Sequence, residues 1–82
     1  MAKLTIDDFT KVISESMNRD LGPITAETRL DDLGVGSLDL VEIIMVIEEK
    51  YDVEIGLDAI DASEKIHTVG DLVDVGRTVG LV

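Results

Sequence analysis

The sequence predicts an all-α fold, a bundle of three main helices plus one short helix with a long loop between helices one and two. Three observations lead there. Apolar residues recur at three- and four-residue intervals in three separate stretches. Residues that cap helices stand at the heads of those stretches. The composition, 45% hydrophobic but 2% aromatic, demands an aliphatic core with Phe9 and Tyr51 as its only large rings, which suits packed helices. Eighty-two residues suffice for one modest core, so a single domain over residues 1–82 is expected.

Between Thr5 and Arg19, the residues Ile6, Phe9, Val12, Ile13 and Met17 share one helical face, opposite Asp7, Asp8, Lys11, Glu15 and Arg19. Thr5 is the expected N-cap, with Asp7 and Asp8 in the first turn where the helix dipole favours carboxylates. From Leu21 to Gly36 no period is sustained; Gly22, Pro23, Gly34 and Gly36 mark a loop. Ile24, Leu30 and Leu33 are expected to anchor it, because so long a connection is uncommon unless it is tied down or has a role.

The second helix is expected from Ser37 to Tyr51, with Leu40, Ile43, Ile44, Ile47 and Tyr51 as its core stripe. A surplus apolar line, Leu38, Val41 and Met45, runs beside Asp39, Glu42, Glu48 and Glu49, wider than one neighbouring helix needs. A short helical piece is expected around 57–62, then a connector over 63–67. The last helix starts at Thr68, where Asp71 three residues on completes a capping pattern. Gly76 and Gly80 weaken its end, so residues 79–82 are expected to fray.

Eighteen acidic residues against seven basic give a formal net charge of −11. Such a field repels phosphate backbones and anionic surfaces, which argues against nucleic acid and membrane partners and favours proteins with basic patches. The longest apolar run, from Ile43 to Ile47, is far too short to span a bilayer, and a cytoplasmic location is expected. With no cysteine, the chain holds no disulfide, thiolate metal site or cysteine nucleophile. No nucleophile, base and orienting carboxylate form a recognisable signature. His67, the sole histidine, is read as a surface or capping residue, and Asp31 and Asp32 do not begin a calcium loop. Neither a catalytic residue nor a metal ligand is assigned.

The stretch Leu30-Asp31-Asp32-Leu33-Gly34-Val35-Gly36-Ser37-Leu38-Asp39-Leu40-Val41-Glu42-Ile43 resembles the motif of the acyl carrier protein family of phosphopantetheine-binding carrier proteins. The resemblance continues through Glu48 to Ile55 and, more loosely, Lys65 to Leu72. It implies a four-helix acyl-carrier-like bundle that is not an enzyme. Ser37 would hold a covalent 4′-phosphopantetheine, added from coenzyme A by a phosphopantetheinyl transferase, and acyl groups would ride on it as thioesters in fatty acid, specialised lipid or polyketide biosynthesis. Ketosynthases, reductases, dehydratases and acyltransferases would be its partners, and a monomer suits such serial docking. Carried over by position, Asp39, Glu42, Glu48, Glu49 and Glu54 match acidic docking residues, and Leu38, Val41 and Met45 the apolar contact line. Gly36 stands where the family usually has aspartate, and 56–63 is longer than in the commonest bacterial members.

Each residue also has a plainer reading. Ser37 is a good helix cap, and an acidic helix face is commonly just solvated. Ile44, Ile47, Ile60, Ile66 and Leu72 could line a cavity for an acyl chain or serve as core. An unmodified acidic helical interaction module and an aminoacyl or peptidyl carrier remain as alternatives.

Overall fold

A computed structural model describes residues 3–81; Met1, Ala2 and Val82 lie outside them. Four α-helices follow in order: α1 Ile6–Met17, α2 Ser37–Tyr51, α3 Ala59–Lys65 and α4 Val69–Thr78, with a 3-10 turn at Asp31–Leu33. Among the described residues there is no strand, only one isolated backbone bridge between Arg29 and Thr68. Helix α2 packs against α1 and α3, and α1 also against α4.

The helices start and stop where local chemistry directs. The Asp8 carboxylate accepts the Thr5 N–H at 2.8 Å at the head of α1. At the head of α4, the Asp71 carboxylate accepts the Thr68 N–H at 3.1 Å and the Thr68 hydroxyl accepts the Asp71 N–H at 3.1 Å. Asn18 and Asp52, at φ 56° and 53°, end α1 and α2 in left-handed caps. Helix α4 ends at Thr78, so residues 79–81 lie beyond it, and it closes with a Schellman motif. Gly80 takes φ 82°, its N–H reaches the Arg77 carbonyl at 3.2 Å, and the Leu81 N–H reaches that of Gly76 at 2.8 Å. A glycine that weakens a helix from inside is here just beyond it, where its freedom is needed. Val82, the last of the residues expected to fray, lies outside the described residues.

The core is aliphatic with one ring. Phe9, Val12 and Ile13 from α1 meet Leu40, Ile43, Ile44 and Ile47 from α2, Val69 and Leu72 from α4, and Ala62 and Ile66 at α3, all 3% exposed or less. Burial of each large side chain contributes about 1.5–3 kcal/mol. Leu30 and Val35 from the long loop join them, while Ile24 and Leu33 pack half-buried around the edge.

Backbone hydrogen bonds hold that loop. Carbonyls of Ala26 and Thr28 accept the N–H groups of Gly70 and Val69 at 2.8 and 3.0 Å, and the Leu30 N–H donates to the His67 carbonyl at 2.9 Å. Two first-turn donors of α4, which no intrahelical carbonyl can satisfy, are thus spent on the loop. A Cβ on Gly70 would stand 2.9 Å from the Ala26 oxygen, so glycine permits this approach. At the other side, the Arg19 guanidinium donates to the Leu33 carbonyl.

The short third helix begins later than the sequence suggested, and Ser63–Lys65 is helical rather than a connector. Asp58 sets the register: its carboxylate accepts the Asp61 N–H at 2.8 Å.

Candidate functional site

Ser37 is the first residue of α2 and is exposed. Gly36 ahead of it is the N-cap, in extended backbone at φ −87°, and its carbonyl accepts the Leu40 N–H at 2.9 Å to open the helical ladder. The N–H groups of Ser37, Leu38 and Asp39 precede that bond and have no intrahelical acceptor by construction. Together with the helix dipole they favour an anion at this end. The Asp39 carboxylate turns back to accept the Gly36 N–H at 3.0 Å, fixing the cap without a side chain at Gly36. A Cβ there would meet the Asp39 Oδ2 at 3.5 Å, an ordinary contact, so the position has room for a β-carbon.

Beside Ser37 lies a cleft of about 60 Å3 whose walls include Asp31, Ser37, Leu40, Ser63, Ile66 and His67. Ser63 and His67 come from α3 and the link behind it, more than twenty-five positions along the chain, and sequence periodicity gave no signal of this meeting. Ser63 donates its hydroxyl to the Ile60 carbonyl at 3.0 Å. His67 is fixed by its backbone: its N–H donates to the Asp71 carboxylate at 2.9 Å and its carbonyl accepts from Leu30. Its ring Nε2 stands 2.9 Å from the Glu64 carbonyl, so the ring closes the end of α3. The His67 N–H, followed by the Thr68 donors and partly opposed by burial, holds the Asp71 carboxyl below the usual carboxylate range.

The expected docking residues spread along α2, apart from Glu54, which follows its end. Leu38 is 78% and Met45 54% exposed; Val41 is half-buried between them. Glu42, Glu49 and Glu54 are exposed. Two acidic residues carry structural work as well. Asp39 holds the cap, and Glu48, half-buried, accepts the Ile55 N–H at 2.7 Å to clip the chain leaving α2. Glu42, Met45 and Glu49 border an open groove of about 290 Å3 whose other side is Ser16 of α1, a residue the sequence did not single out. Its Oγ has no hydrogen-bond partner among the described residues.

The residues considered for an acyl cavity divide differently. Ile44, Ile47 and Leu72 are sealed in the core, and Ile66 forms part of the Ser37 cleft. Ile60 is 69% exposed, contrary to the expectation, because the Asp58 cap turns it outward while Ala62 takes the inner position. Among the described residues no three metal-ligating side chains converge, and no helix is long and apolar enough to cross a membrane.

Comparison with known proteins agrees with this geometry. The family model for the phosphopantetheine attachment site matches residues 7–75, a span that contains both α2 and the cleft. An acyl carrier protein of Helicobacter pylori is 44% identical over 68 residues, covering 82% of this chain and 83% of its own. One from Wolinella succinogenes is 41% identical over 68 residues, covering 82% of this chain and 86% of its own. In structure, the chain resembles an acyl carrier protein of Thermotoga maritima with a TM-score of 0.75 and 27% identity, over 90% of this chain and 84% of that one. It resembles the oxytetracycline acyl carrier protein with a TM-score of 0.73 and 30% identity, over 96% of this chain and 84% of that one. The chain therefore belongs to the acyl carrier proteins, a family of carriers rather than enzymes whose prosthetic group is phosphopantetheine.

Proposed function

We propose that Ser37 takes the phosphopantetheine arm and that the loaded chain carries acyl groups as thioesters in fatty acid, specialised lipid or polyketide biosynthesis. The observation that supports this reading is the exposed hydroxyl of Ser37 at the first position of α2, beside backbone donors free to receive a phosphodiester. In the loading step the Ser37 oxygen attacks the pantetheine-bearing phosphorus of coenzyme A. The new O–P bond forms as the bond to adenosine bisphosphate breaks, and the hydroxyl proton passes to a base on the transferase. When bound, the arm supplies the thiol that this cysteine-free chain lacks.

Leu38, Asp39, Val41, Glu42, Met45, Glu48, Glu49 and Glu54 form the proposed docking surface for the transferase and for ketosynthases, reductases, dehydratases and acyltransferases. Exposed apolar side chains among carboxylates suit partners whose basic rims surround a small apolar patch. The carrier is proposed to act as a cytoplasmic monomer.

Intact-protein mass spectrometry tests the reading after incubation with coenzyme A, magnesium and a broad-specificity phosphopantetheinyl transferase. Wild type is expected to gain one phosphopantetheine and Ser37→Ala none; equal gain by both would refute it.

A further inference from the structure

We propose that His67 is a binding residue for the phosphodiester joining the arm to Ser37, holding it while the imidazole is protonated and releasing it when the ring is neutral. The inference rests on Ser37 as the attachment point. Ser37 and His67 line the same cleft of about 60 Å3, one from the head of α2 and the other from the link between α3 and α4. Of the residues lining that cleft, His67 alone has a side chain that can become a cation. A phosphodiester placed at Ser37 enters a chain of net charge −11, and a protonated imidazole opposite is a charge-assisted donor to it.

The ring is already partly organised for this. A carbonyl can only accept, so the contact at 2.9 Å requires that Nε2 donate to the Glu64 oxygen. That leaves Nδ1 for the second proton. The charged groups on the elements around the ring are carboxylates, the Arg29 guanidinium and the Lys65 ammonium. Asp31 on the 3-10 turn lies in the same cleft, with its carboxylate 3.6 Å from the Arg29 guanidinium. Asp71 of α4 accepts the His67 N–H, Asp39 of α2 accepts the Gly36 N–H, and Glu64 and Lys65 of α3 are exposed. A phosphodiester at Ser37 would add one more anion on the cleft side.

Phosphorus NMR of the loaded full-length protein tests the proposal. A phosphodiester does not titrate between about pH 5 and 8, the range in which histidine changes charge, so a phosphorus shift that moves there reports a neighbour. The expected result is a phosphorus resonance that moves with pH at the same midpoint as the His67 ring protons, and stays flat in His67→Gln. A flat wild-type resonance, or the same movement in His67→Gln, overturns it. Should that variant fail to fold, nuclear Overhauser contacts between the His67 ring and the arm protons nearest the phosphate decide the matter in wild type: present supports, absent overturns. Mass spectrometry of the same sample separates the two ideas, because an unloaded Ser37 refutes the attachment reading, whereas a loaded sample with a flat resonance refutes only the role of His67.

Discussion

On one side of α2, Ile43 is 0% and Ile47 1% exposed; on the other, only a residue or two away, Met45 is 54% exposed, and Leu38 at the head of the helix is 78% exposed. The side chains are of one chemical kind, and the helical period decides which of them the bundle covers. The inner line is what α1 and α3 need. The outer line is covered only in part, at Val41, stands among Glu42 and Glu49, and leads to Ser37. One helix thus stabilises the fold with one face and presents the proposed docking surface with the other, so changes on the two faces should separate stability from recognition.

Ile43→Ala should lower unfolding free energy by about 2–5 kcal/mol, because a fully buried site cannot collapse around the lost atoms. Denaturant midpoints measure it. Leu38→Ala and Met45→Ala should shift stability by no more than about 0.5 kcal/mol while weakening transferase binding; a core-sized loss from either would erase the contrast between the faces. Reversing charge on the outer face, with Glu42→Lys and Glu49→Lys together, should slow association with the transferase by about tenfold or more at low ionic strength and flatten its salt dependence. Stopped-flow mixing at two salt concentrations would show this.

Acid sharpens the comparison, because the inner face carries no carboxylate whereas the cap of α4 does. The Asp71 carboxyl is held below its ordinary value of 3.8 in the folded chain. A depressed pKa stabilises at pH above the unfolded value, and that contribution is lost as pH falls through the folded one. The stability difference between wild type and Asp71→Asn should therefore be full near neutrality and shrink below about pH 3.8, read from melting curves; a difference that grows in acid would contradict the cap. The smallest effect is expected from Gly36→Asp. A β-carbon fits at the cap, so stability should hold within about 0.5 kcal/mol and loading should be as fast as in wild type or faster.

Much of this was legible in the chain itself. The bounds of α2 could be read because an unbroken apolar period begins directly after a glycine-rich segment, and α4 because Thr68 and Asp71 announce its start. Helix α3 was misplaced for a physical reason: in seven residues it buries Ala62 inside its span and turns Ile60 to solvent, leaving no period to read. The loop's attachment was invisible because backbone carbonyls of Ala26 and Thr28 make it, and every residue has a carbonyl. Ser37, the proposed attachment point, was singled out by its flanking motif. Its neighbours Ser63 and His67 were not, since tertiary packing of α3 against α2 brings them there.

Ser37 and Ser63 border one cleft, yet Ser37 opens a helix with its hydroxyl exposed while Ser63 sits near the end of another with its hydroxyl bonded to the Ile60 carbonyl. The most direct test of the account is therefore to digest the transferase-treated protein and locate the added phosphopantetheine by fragmentation mass spectrometry. The account predicts the group on Ser37 alone; finding it on Ser63, or on Ser14 or Ser16 of α1, would contradict it.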